Sequence, residues 1–237
     1  EEAVSKIRGE QGTDVTLTIR REGQSRPQDI TITRDVIDVP NVSTEIVDNV
    51  GVIQIRQFQQ DTGREVSVEL GQLEEQGITQ VIIDLRFNTG GYLQAAVDLV
   101  DLFVDKGEVV VSEIGREGEV IKEFPTKLPA VYEDFKLVVL VNEGSASASE
   151  ISAAALRDIK GVELVGKQTF GKGVVQEVQA FGNEGVLKYT VAEWQTPAGE
   201  KIHDIGLTPD VEVDRTEEDF LNDRDPQLDR AIELVKE

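Results

Sequence analysis

The chain reads as an α/β protein, and three features predict that class. The apolar runs Val81-Ile82-Ile83-Asp84-Leu85 and Leu137-Val138-Val139-Leu140-Val141 have the character of strands buried on both faces of a parallel sheet. Each run breaks at a turn and passes into a helical pattern, through Asn88-Thr89-Gly90-Gly91 in one case and residues 145–149 in the other. A shorter strand at 162–165 follows the second helix, so the order strand, helix, strand recurs.

Taken in order, residues 1–9 read as the end of a short amphipathic helix, with Val4 and Ile7 on one face and Gly9 as the stop. Val15, Leu17 and Ile19 alternate with Thr16, Thr18 and Arg20, the pattern of a half-buried strand. Glu22-Gly23 turns the chain, and Ile30 and Ile32 mark a second short strand. A helix and two antiparallel strands cannot bury a core in about 35 residues, so residues 1–35 are expected to be the tail of a small domain whose front lies outside this sequence. A linker is expected over 36–50, and a larger unit over 51–237.

That unit opens with a strand at 52–55 and a helix at 62–76 carrying Val66, Leu70 and Leu73 at helical spacing. The helix after Gly91 runs through Ala95, Ala96, Leu99, Leu102 and Phe103. Beyond residue 165, Val174-Val175 and residues 186–191 predict a more antiparallel β region, with Asn183-Glu184-Gly185 as a hairpin turn. A helix over 227–236 closes the chain.

Composition narrows the chemistry. A net charge of −22 over 237 residues opposes binding to nucleic acid or to an anionic membrane through a basic patch. No apolar run approaches the length of about 18 residues that a membrane span needs. Zero cysteines remove disulfides and thiolate metal sites, and fit an oxidising compartment. A single histidine, with no HExxH or EF-hand pattern, gives no metal site, and no Walker or GxGxxG pattern points to a nucleotide. With no methionine in the chain, a start codon and any export signal are expected to lie outside it.

Three groups of residues are candidates for chemistry. Ser147-x-x-Glu150 at a helix start is a capping box, and on local pattern alone a cap is the commoner role. The same helix start also presents backbone N–H groups, Ala148 among them, to a developing oxyanion. Gly90 and Gly91 either permit a turn with positive φ or expose an N–H at the sheet edge where open α/β folds place their sites. Lys172 lies in Thr169-Phe170-Gly171-Lys172-Gly173-Val174-Val175, a setting poor in charge for this chain. Most lysines are solvated, but an amine in apolar surroundings is the other way, besides histidine, to take a serine's proton. Gln176 shares parity with Lys172; in a flat strand the two sit about 13 Å apart, so the segment must bend for one to orient the other. His203, within Glu200-Lys201-Ile202-His203-Asp204, reads as a surface residue, and Glu217-Glu218-Asp219 after Thr216 as a solvated helix start.

These residues resemble the carboxy-terminal processing (tail-specific) proteases of serine peptidase family S41. The matching motifs are Asp84-Leu85-Arg86-x-Asn88-x-Gly90-Gly91, residues 145–151, Val165-Gly166 with Thr169-Phe170-Gly171-Lys172-Gly173-x-x-Gln176, Thr196-Pro197-x-Gly199, and Gly206-x-x-Pro209-Asp210. They occur in the family's order over roughly residues 45–215. The resemblance implies a ClpP/crotonase-like α/β core with an additional β region, preceded by the C-terminal part of a PDZ domain. It implies a Ser–Lys dyad with Ser147 as nucleophile, Lys172 as general base and Gln176 orienting it. Ala148 and one of Gly90 or Gly91 would form the oxyanion hole, and no cofactor or metal is needed. The implied substrates are exported or membrane-associated proteins with apolar C-termini, cut outside the cytoplasm, with any membrane anchor beyond this sequence. Self-association and an adaptor protein are compatible with the resemblance.

Two other classes compete. A non-catalytic ligand- or peptide-binding module would keep the fold without the chemistry, as retinoid-binding relatives do; retention of Ser147, Lys172 and Gln176 together favours the enzyme. A crotonase-like acyl-CoA enzyme would share the two-turn oxyanion hole but gives Lys172 and Gln176 no role.

Overall fold

The computed structural model describes residues 2–21, 23–36, 39–182 and 185–237. The expected turns at Glu22-Gly23 and Asn183-Glu184-Gly185, and positions 37 and 38 of the expected linker, lie wholly or partly outside the described residues. The chain divides into two compact units, residues 1–40 and 41–237.

In the first unit, helix α1 (Glu2–Ile7) precedes strands β1 (Asp14–Ile19) and β2 (Gln28–Thr33). The strands pair antiparallel, with Val15 opposite Ile32 and Leu17 opposite Ile30. Arg34 ties the pieces together, its Nε donating to Ile7 O at 2.8 Å and its guanidinium to Thr13 Oγ1 at 2.8 Å. No described residue of this unit is fully buried. Two strands and one helix leave their apolar faces partly wet, as the shortness of the segment predicts.

The second unit begins earlier than the sequence suggests. Residues 42–47, expected to be linker, form β3 (Val42–Val47), which pairs antiparallel with β4 (Val50–Ile55). Asp48 and Asn49 make the tight turn, both at positive φ (50° and 65°), a conformation those short polar side chains tolerate. There follow α2 (Thr62–Glu75), β5 (Gln80–Asp84), α3 (Leu93–Val100), β6 (Val109–Ile114), β7 (Val120–Pro125), β8 (Lys136–Val141), α4 (Ala148–Lys160) and β9 (Glu163–Gly166). The chain continues through β10 (Val174–Ala180), β11 (Val186–Gln195), β12 (Val211–Glu212), α5 (Glu217–Leu221) and α6 (Pro226–Lys236).

Six strands form a sheet in the order β12-β9-β8-β5-β4-β3, parallel except for β3 at the edge. Its two faces explain the apolar runs. Val81, Ile83, Leu137, Val139 and Val141 pack with α2, α3 and α4 into the main core, while Ile82, Val138 and Leu140 pack against Ala231, Ile232 and Val235 of α6. A second sheet, antiparallel in the order β10-β11-β6-β7, stands beside it. Strands β6, β7 and β12 are absent from the sequence reading. β7 is exposed at Val120 and Ile121 and so lacks a clean alternation, and β12 is two residues long.

The consequence for function is positional. β5, β8 and β9 are neighbours in the parallel sheet, so the turns that leave their carboxyl ends emerge side by side.

Candidate active site

The turn after β5 and the turn after β8 are joined by buried polar contacts. Asn88, fully buried, donates its Nδ2 to Ile55 O at 2.8 Å, while its backbone O accepts from Ala146 N and Ser149 Oγ. Ser145, also fully buried, donates its Oγ to Leu85 O at 2.8 Å and accepts from Asn142 N at 2.9 Å. Of the three alternate serines, Ser145 and Ser149 are therefore committed to holding the two turns together. Ser147 lines a cavity.

Ser147 is also strained. It sits at φ 57°, ψ −115° where the strand stops and α4 starts, a conformation rarely adopted by a residue with a Cβ. The capping-box pairing is there in pattern, but only its Glu150 half is a hydrogen bond of ordinary length, Ser147 N to Glu150 Oε2 at 2.8 Å. The serine side chain makes no cap hydrogen bond.

Glu150 does more than close this turn. Its side chain is fully buried and accepts four hydrogen bonds. Oε2 takes Ser147 N and, at 2.9 Å, Lys172 N; Oε1 takes Gly171 N at 2.7 Å and Thr169 Oγ1 at 2.5 Å. Both carboxyl oxygens thus have two hydrogen-bond partners each, which satisfies the buried group. The loop that carries Lys172 is therefore locked to the loop that carries Ser147 by one residue. Sequence reasoning saw Glu150 only as a helix cap.

The bend required between Lys172 and Gln176 is present. Lys172 lies before β10, which starts at Val174, and the β10–β11 register shifts between Val175 and Gln176. Lys172 and Gln176 line one cavity of about 280 Å³ with Ser147, Ala148, Gly91 and Trp194. The apolar surroundings expected for Lys172 are met only in part, because its side chain is exposed. Gly173 lies flush against the backbone of His203, a position without room for a Cβ. The imidazole itself is not part of the cavity lining.

The two glycines separate cleanly. The N–H of Gly90 is spent on Asn88 Oδ1 at 2.9 Å, whereas that of Gly91 makes no hydrogen bond among the described residues. Gly91, with φ 152°, packs against the backbone of Phe58, and Gly90 packs where a Cβ would come within 2.8 Å of Ser147 Cβ. Gly91 lines the cavity and Gly90 does not.

Behind the first turn lies a buried charge network. Arg86 donates to both oxygens of Asp84, to Asp225 at 2.9 Å and to Gln227 at 3.0 Å. Burial opposes the Arg86 charge, but the hydrogen bonds and attraction of Asp84 and then Asp225 outweigh it, leaving its pKa above the usual value. Asp225 also caps α6 through Leu228 N at 3.1 Å and pairs with Arg215 at 3.0 Å. The C-terminal helix is thereby fastened to the residue that leads into Phe87 and Asn88. Among the described residues no cluster of three or more potential metal ligands occurs.

Known proteins resemble this chain in sequence and in fold. The sequence profile of Peptidase family S41 matches residues 49–213. The chain is 42% identical over 223 residues to a "Probable CtpA-like serine protease" of Staphylococcus epidermidis, covering 94% of this chain and 45% of that protein. A protein of the same name from Staphylococcus aureus is 40% identical with 44% of its length covered. The chain thus spans less than half the length of these relatives. Among solved structures, a photosystem II D1 C-terminal processing protease superposes with a TM-score of 0.71 at 30% identity, over 87% of this chain and 57% of that one. Mature CPAF in complex with lactacystin shares the fold, with a TM-score of 0.64 at 14% identity over 97% of this chain and 68% of that one. A profile match over residues 49–213, most of the chain, makes this chain a member of peptidase family S41.

Proposed function

We propose that residues 41–237 are the catalytic unit of a serine endopeptidase that cleaves proteins near their C-terminus through a Ser–Lys acyl-enzyme. The neutral amine of Lys172 takes the Ser147 hydroxyl proton as Oγ attacks the scissile carbonyl. The N–H groups of Ala148 and Gly91 stabilise the resulting oxyanion, at a helix start where the backbone already favours negative charge. The proton then passes to the leaving amine, the acyl-enzyme forms, and water activated by the same lysine releases the acid. Gln176 orients Lys172 from the start of β10.

One observation carries this reading: Glu150 holds the backbones of Ser147 and Lys172 on the same carboxylate oxygen, at the wall of a cavity that both side chains line. The first unit fits the end of a PDZ domain, and the acidic, cysteine-free chain fits substrates met outside the cytoplasm. A second reading, a binding module of the same fold, draws on the exposure of Lys172, since a working base is usually shielded from water.

Incubation with peptides that end in apolar residues, followed by mass spectrometry of the products, separates the two. Internal cleavage lost in Ser147→Ala and Lys172→Ala supports the protease; binding without cleavage supports the module.

A further inference from the structure

The cavity is electrostatically unlike the rest of the chain. The protein carries 46 acidic and 24 basic residues, yet the cavity wall holds two lysines, Lys172 and Lys188, and no carboxylate among the described residues. Among the described residues, the neighbouring carboxylates Glu177, Glu193 and Glu150 are turned away or consumed. Register places Gln176, Val178 and Lys188 on one face of the β10–β11 hairpin, with Val178 opposite Lys188. Glu177 is on the other face and accepts from the Tyr189 hydroxyl at 2.8 Å. Glu193 alternates away from Trp194 and pairs with Lys201 at 2.8 Å. Glu150 is fully buried beneath its four hydrogen bonds. Lys188 has no carboxylate within ion-pair distance among the described residues.

On the reading that Ser147 and Lys172 cut peptides, we infer that Lys188 is a specificity-determining residue that binds a substrate carboxylate within a few residues of the scissile bond. An unpaired ammonium in a cavity cleared of carboxylates has one obvious complement on a peptide, and two sources supply it: an Asp or Glu side chain, or the chain-terminal carboxylate. The net field of a strongly acidic protein disfavours both, so Lys188 selects by contrast with its surroundings as well as by its own attraction.

The test uses C-terminally amidated, quenched peptides of one cleavable sequence, with Glu or Gln placed in turn at each position flanking the scissile bond. A free-acid version of the all-Gln peptide forms the second arm. At one position the Glu peptide should show a kcat/KM about fivefold above its Gln twin at low salt, the range of a single exposed ion pair, and the ratio should shrink as salt rises. Lys188→Gln should bring the ratio to about one, and Lys188→Glu should shift preference to a Lys peptide. A Lys188-dependent advantage of the free acid alone would place the chain terminus there. The same peptides, titrated by fluorescence anisotropy onto Ser147→Ala, read the preference without turnover. Loss of cleavage therefore bears on the protease reading, whereas a Glu/Gln ratio near one throughout, or a preference that survives Lys188→Gln, overturns the carboxylate subsite.

Discussion

The backbone N–H groups of Ser147 and Lys172 converge on one atom, Glu150 Oε2, at 2.8 and 2.9 Å. The two lie 25 positions apart in sequence, with the α4 helix and β9 strand between them. Their relative position is thus fixed by a side chain that takes no part in bond making.

Glu150→Gln tests that relationship. An amide keeps the shape but presents an NH₂ to donors where a carboxylate oxygen accepted them, so at least one buried N–H or hydroxyl loses its partner. A stability loss of about 1–3 kcal/mol is expected from urea unfolding. Cleavage should fall about a hundredfold in kcat with a smaller change in KM, because misplacement of the base by about 1 Å has that order of effect. A variant that is destabilised yet keeps its kcat would reduce Glu150 to a structural residue.

Ser147 itself sits in a strained conformation, and that yields a second expectation. Ser147→Gly should abolish turnover while stabilising the fold by about 1 kcal/mol, since glycine adopts positive φ without a Cβ penalty. Ser147→Ala should abolish turnover with stability unchanged within about 0.5 kcal/mol, because Oγ makes no cap hydrogen bond. Calorimetry on the pair decides it: an alanine variant that unfolds as easily as a lost helix cap would show that Oγ does cap α4.

The Arg86 network gives a third. Arg86→Met leaves Asp84 and Asp225 partly buried with their main partner gone, at an expected cost of about 3–5 kcal/mol. Arg86→Lys should recover only part of that, since a single ammonium cannot span Asp84, Asp225 and Gln227 in the geometry of a guanidinium. Denaturant midpoints within error of wild type would contradict the network's role in seating α6.

A fourth concerns acid. Hydrogen bonds from the side chain and backbone of Thr216, helped by Arg224, hold the Asp219 carboxyl below its ordinary pKa. A folded pKa below the unfolded one means the contribution is present above the unfolded value and fades as pH falls through the folded one. Protection of α5 amides from exchange should therefore drop below about pH 4, and Thr216→Val should raise the Asp219 titration midpoint toward the model-peptide value. An Asp219 midpoint indifferent to Thr216→Val would remove the Thr216 hydroxyl as its cause.

Much of this architecture was legible in the sequence because burial on both faces leaves few polar residues in a strand. That is why residues 81–85 and 137–141 announced a parallel sheet, and why the breaks after them pointed to the candidate site. β3 was hidden because Pro40 and scattered polar residues resemble a linker, and its Asp48-Asn49 turn is shorter than a linker would need. Ser147 and Lys172 stood out through motifs, whereas Glu150 did not, since a glutamate three residues into a helix has an ordinary role as a cap. Its signal was the context: a charge set among Ser149, Ile151, Ser152 and Ala153, all of them small or apolar and all buried. That Gly90 and not Gly91 has its N–H engaged lay beyond sequence altogether, because it depends on where Asn88 Oδ1 points.

The most direct measurement is site mapping of a serine-directed covalent inhibitor by peptide mass spectrometry across four proteins: wild type, Lys172→Ala, Ser147→Ala and His203→Ala. One adduct is expected, on Ser147, formed at comparable rates in wild type and His203→Ala and lost in the other two. An adduct on Ser145, or labelling of Ser147 that survives Lys172→Ala and vanishes in His203→Ala, would contradict it.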